Sequence, residues 1–141
     1  MKNKAPLALM EQLIMILVFA LASALCLRLF VYSDQVSVSG AARDQAAAVV
    51  QNAAEALKLS GGSMESLAHM LGGEADADGW RMGYDSSWQE TDEKRPAFIA
   101  EAKITGDDIP LMGSAEVSAR TADGKPLFQV TVCWQEESDG Q

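Results

Sequence analysis

The sequence predicts an α+β fold: a long N-terminal α-helix, half membrane-spanning and half amphipathic, packed on a small antiparallel β-sheet of three to four strands. Three observations predict it. An apolar run extends from Leu13 to Tyr32, with Arg28 as its only charge. Residues 41–58 hold no Pro or Gly, are rich in Ala, and carry an apolar stripe at helical spacing. From Trp80 onward the apolar period changes to two, the period of a half-buried strand.

The apolar run is the first element. Its 20 residues, at about 1.5 Å each, span roughly 30 Å, the thickness of a bilayer core. Twelve of them are Leu, Ile, Val or Phe, together worth about −4 to −7 kcal/mol for insertion. Arg28 opposes this by about 2.5–3.5 kcal/mol at mid-bilayer, and from its place near the end of the run it snorkels outward. Insertion wins. Lys2 and Lys4 precede the run and the rest of the chain is acidic, so the positive-inside bias places the N-terminus in the cytoplasm and residues 33–141 outside the cell membrane. A cleaved signal peptide needs small residues after a short apolar core, and Arg28-Leu29-Phe30 stands there instead. A lipoprotein needs a small residue before its cysteine, and Leu25 precedes Cys26. The expected organisation is therefore a leader and transmembrane helix over 1–32, an amphipathic continuation over 33–59, and an exterior β domain over 60–141.

The continuation rests on Ala42, Ala46, Val49, Val50, Ala53 and Leu57, which share one helix face, while Arg43, Gln45, Gln51, Asn52, Glu55 and Lys58 fall mostly off it. Asp34–Gly40 is the weakest stretch of a helix expected to run from about Lys4 to Leu59, and Gly61-Gly62 ends it. Ser63 caps a short helix over Met64–Leu71, which Gly72-Gly73 stops. Trp80–Tyr84 and Trp88-Gln89 read as short strands around an Asp85-Ser86-Ser87 turn. Residues 98–105 and 115–120 alternate in polarity, Asp123-Gly124 makes a hairpin turn, and Phe128, Val130, Val132 and Trp134 form the apolar face of the last strand. The sheet needs a cover, and the 42–57 stripe is the one available.

The chain of 141 residues carries a net charge of −9. An acidic exterior domain argues against nucleic acid and anionic membrane surfaces as partners. Cys26 lies in the membrane run and Cys133 near the C-terminus, so a disulfide between them is not expected.

Leu7-Ala8-Leu9-Met10-Glu11-Gln12-Leu13-Ile14 resembles the signature of type IV pilin-like proteins and pseudopilins. In that family a glutamate stands fifth in the mature chain, before an apolar helix. Glu11 takes that place if Leu7 comes first. The resemblance covers about the first 35 residues by motif and the rest by architecture. It implies cleavage by a prepilin peptidase, and assembly with other pilin-like subunits on a pilus or secretion platform. It also implies pairing of Glu11 with a neighbour's N-terminal amine. A carboxylate at the lip of an apolar run is costly unless paired, so the physics agrees with the implied role. One residue departs from the pattern: Pro6 stands where the family has Gly or Ala before the cut.

Little else in the sequence suggests chemistry. Glu74, Asp76, Asp78 and Asp85, with Gly79, have the spacing of a calcium loop. Glu at the first position and the short Asp85 at the last depart from it, and an acidic turn is the plainer reading. Calcium is the one cofactor the sequence raises. His69 is the only histidine, which excludes a multi-histidine metal site and leaves no catalytic triad. Asp107-Asp108 reads as turn chemistry. Trp80, Tyr84, Trp88 and Trp134 read first as core and second as a binding face. The sequence thus predicts a non-enzymatic, pilin-like structural or assembly subunit. The alternative is a single-pass tethered binding or sensor module with a plain helix anchor.

Overall fold

The computed structural model describes residues 4–77, 79–92, 94–106, 109 and 111–136. The elements are α1 (Ala5–Leu59), α2 (Met64–Leu71), β1 (Glu74–Asp76), β2 (Gly79–Tyr84), β3 (Phe98–Thr105), β4 (Met112–Thr121) and β5 (Pro126–Gln135). A long N-terminal helix and an antiparallel sheet make the fold α+β, as expected. The sheet has five strands rather than three to four, in the order β1-β2-β3-β4-β5.

The chain forms two units, Met1–Gly40 and Ala41–Gln141, and α1 contributes to both. Helical geometry persists through Asp34–Gly40. The end of α1 is built by its glycines. Gly61 N–H donates to Lys58 C=O (3.2 Å) and Gly62 N–H to Leu57 C=O (3.0 Å), with φ of +62° and +86°. This is the paired bonding that terminates a helix through left-handed residues. Ser63 then caps α2, its hydroxyl accepting the Ser66 N–H at 3.2 Å.

Within the second unit, one face of the sheet carries the core. Ala46, Val50, Ala53 and Leu57 of α1 are fully buried with Trp80, Ala100, Ala102, Ala115 and Val117 of the sheet. Alanines lie on both sides of this interface, and two tryptophans are buried with them. Trp134 is one of them. Ideal Cβ atoms built on Gly62 and on Gly113 would fall 2.2 and 2.3 Å from its ring, so the indole is clasped between two glycines from distant parts of the chain. Trp80 is the other, and its Nε1 donates to Gly72 C=O at 2.7 Å, which satisfies the buried indole.

The two local differences from the sequence reading have physical causes. β1 is three exposed residues, Glu74-Ala75-Asp76, held by pairing with Arg81, Trp80 and Gly79 rather than by any apolar period. Trp88-Gln89 is not a strand. The Asp85 carboxylate accepts the N–H of Ser87 (2.8 Å) and of Gln89 (2.9 Å), and Trp88 sits at φ +59°, so the chain turns there and a single bridge joins Tyr84 to Glu90. Trp88 stacks on Phe98 with centroids 4.1 Å apart and planes 9° apart.

Candidate functional site

The first unit presents one feature, the helix surface from Leu7 to Tyr32. Its large apolar side chains are each 52–75% exposed, and they occur all round the helix rather than on one stripe. Such a helix is stable only when lipid or other helices cover it. It is long and apolar enough to cross a membrane.

Glu11 lies in the second turn of that helix. Its neighbours at three and four residues are Leu7, Ala8, Ile14 and Met15, all apolar. Lys4 shares the face at a distance of about 10 Å along the axis. Among the described residues nothing forms a hydrogen bond or ion pair with the Glu11 carboxylate. Pro6 occupies the first turn, where a missing N–H costs no helical bond, and Leu7 follows it in helical geometry. The Pro6–Leu7 bond therefore lies at a helix start, where a single turn unwinds cheaply.

The described residues of the acidic stretch, Glu74, Asp76 and Asp85, lie in the second unit and do not converge. Glu74 and Asp76 are exposed on β1, and Asp85 follows β2. Asp76 faces Gly79 across the β1–β2 pair, and Asp85 is six residues further along, about 20 Å at strand rise. Calcium oxygens sit within about 2.6 Å of the ion, so one ion does not reach both. Asp78, Asp107 and Asp108 lie outside the described residues. Among the described residues no three acidic, His or Cys side chains are grouped to hold a metal. Adding millimolar calcium is expected to leave the thermal midpoint of the protein unchanged; a rise in calcium that magnesium does not reproduce would contradict this geometry.

The aromatic set is core. Trp80, Tyr84 and Trp134 are buried and Trp88 is half-buried. His69, Cys26 and Cys133 are exposed, and both thiols are free. Burial first, and the Glu90 carboxylate second, hold the Tyr84 phenol above its ordinary pKa. The folded state therefore keeps a proton that the unfolded chain loses near pH ~10, so stability is complete below that value and falls as pH rises above it. Tyr84→Phe is expected to flatten the alkaline limb of a stability–pH profile, and an unchanged limb would assign it elsewhere.

Two features escaped sequence reading. On the sheet face away from α1, Arg120 reaches Glu101 at 3.2 Å and Lys103 reaches it at 3.6 Å, in an open groove of about 1230 Å³ that Arg81 and Glu74 also line. Charges of both signs alternate there, with no nucleophile–base pair among them. Glu101 and Lys103 share a strand face, and strand pairing brings Arg120, Arg81 and Glu74 to them. The second feature is the free edge of β5.

Compared with known protein families, curated proteins and solved structures, the chain matches none.

Proposed function

We propose that the chain is a pilin-like structural or assembly subunit of a type IV pilus, type II secretion or competence-type system. The observation that carries this reading is the carboxylate of Glu11, whose helix neighbours at three and four residues are all apolar. A plain anchor gains nothing from an unpaired carboxylate at the lip of its apolar run, where desolvating it is costly, though less so than the about 2.5–3.5 kcal/mol of an acid at a helix centre. A helix that bundles with copies of itself gains a register device, because the charge is satisfied only where a neighbour presents a cation. The N-terminal amine of a subunit processed before Leu7 is such a cation. In this reading the N-terminus is cytoplasmic, the 41–141 unit is exterior, and the protein performs no catalysis.

The test is co-expression of the full chain with an assembly ATPase, a polytopic platform protein and other pilin-like subunits. After detergent extraction the chain is expected to co-purify with the pilin-like subunits in a large assembly. Recovery as a single-pass protein free of them would overturn the proposal in favour of a tethered module.

A further inference from the structure

β5 is an edge strand, and its outward side can be assigned atom by atom. Glu136 N–H donates to Leu111 C=O at 3.0 Å, one step beyond the Met112–Gln135 pair. Bonded and non-bonded pairs alternate in an antiparallel ladder. Trp134, Val132 and Val130 therefore bond to β4, and the N–H and C=O groups of Gln135, Cys133, Thr131 and Gln129 point away from it. All four residues are exposed, and among the described residues no strand pairs with that side.

Edges of this kind are normally blunted by shortness, charge, an interior proline or a bulge. The opposite edge obeys the rule: β1 has three residues, two of them acidic. β5 does not. It has ten residues, far above the ordinary edge, and none of them is charged. Its proline is at its first position, and the bulge opposite Ala119/Arg120 is at the same end. The row from Gln129 to Gln135 is left regular, neutral and open.

We propose that this edge pairs with β5 of a second copy, antiparallel about a two-fold axis at Val132. The charge distribution selects this occupant. A chain with net charge −9 repels its own copies over most of its surface, and the neutral edge is where two copies meet without opposing like charges. A two-fold interface must also be self-complementary, and this row is. Centring on Val132 sets Thr131 opposite Cys133 and Gln129 opposite Gln135, so every outward group of the four residues finds a partner. Val132 meets its own copy in the close, non-bonded position favoured by β-branched pairs. The same operation on β1 would oppose acidic residues. The inference concerns the 41–141 unit alone and does not rest on the assembly role of Glu11.

The experiment uses the full chain in membranes, with Cys26→Ser to leave Cys133 as the native thiol. Adding Thr131→Cys places thiols on directly opposed residues of the two copies, at a Cα separation of about 5.5 Å, within disulfide reach. Mild oxidation is expected to give a covalent dimer on a non-reducing gel. Gln129→Pro, added to the same chain, removes an outward N–H and no bond to β4, so it is expected to abolish the dimer band while leaving the circular dichroism spectrum unchanged. Absence of the band in the two-thiol chain overturns the proposal. So does a band that survives Gln129→Pro, or capture of a different protein at the thiol.

Discussion

Glu11→Ala is expected to leave the chain in the membrane and to abolish its incorporation into an assembly. The two outcomes separate because they rest on different residues. Insertion is driven by the Leu13–Tyr32 run, and removing a carboxylate at its lip makes insertion more favourable, not less. Incorporation, in the proposed reading, depends on a buried ion pair, and breaking one by deleting a partner costs about 3–5 kcal/mol, which reduces occupancy by two orders of magnitude or more. Carbonate extraction measures the first outcome and co-purification with pilin-like subunits the second. Glu11→Gln tests the charge at nearly constant shape and should fail almost as completely. A Glu11→Ala chain that assembles normally would remove the reason for assigning the residue any role.

The second large effect is expected in the Ala41–Gln141 unit. Trp134→Ala should lower its stability by about 3–5 kcal/mol, a large share of the 5–15 kcal/mol typical of a domain, because the indole fills the gap between Gly62 and Gly113. Gly113→Ala approaches the same contact from the other side. Its backbone is ordinary strand, with no positive φ, so the cost is steric alone, about 1–3 kcal/mol for overpacking. Combining Gly113→Ala with Trp134→Leu should cost less than the sum of the single changes, since the smaller side chain yields the space the new methyl needs. Urea unfolding of the detergent-solubilised chain, followed by circular dichroism, measures these variants and Trp134→Leu alone. Strict additivity would show that the glycine and the indole do not share one space.

These contacts show what was legible in the sequence. Periodicity carried the main elements: the 42–57 stripe and the apolar face Phe128–Trp134 lie where the spacing placed them, while 98–105 forms the expected strand with Ala100 and Ala102 buried but with Ile99 buried and Ile104 exposed, against the alternation. Punctuation carried the boundaries, since Gly61-Gly62, Ser63 and Asp123-Gly124 act through local backbone bonds that neighbouring residues determine. Gly124 N–H, for example, closes the last hairpin on Thr121 C=O at 2.9 Å. What escaped depends on partners distant in the chain. β1 is acidic and too short to show a period, and it exists because β2 supplies its hydrogen bonds. Trp88 has a strand-forming side chain, but the Asp85 carboxylate captures the backbone first. The clasp on Trp134 joins Gly62 to Gly113, and no local pattern announces that. For the candidate site, the apolar run was legible because a helix long and apolar enough to cross a membrane is a local object, and Glu11 stands out by its place just before that run. The four carboxylates of the acidic loop had plausible spacing, yet the β1–β2 pairing carries Asp85 away from Asp76, a separation that only the sheet register reveals.

The measurement that tests the central claim most directly is the intact mass of the full chain co-expressed with a prepilin peptidase. The expected result is loss of residues 1–6 and a mature chain that begins at Leu7, with Glu11 in fifth place and a free amine beside the apolar helix. A chain that still begins at Met1 or Lys2 would contradict a processed pilin-like subunit. The helix would then be a permanent anchor for a tethered exterior domain.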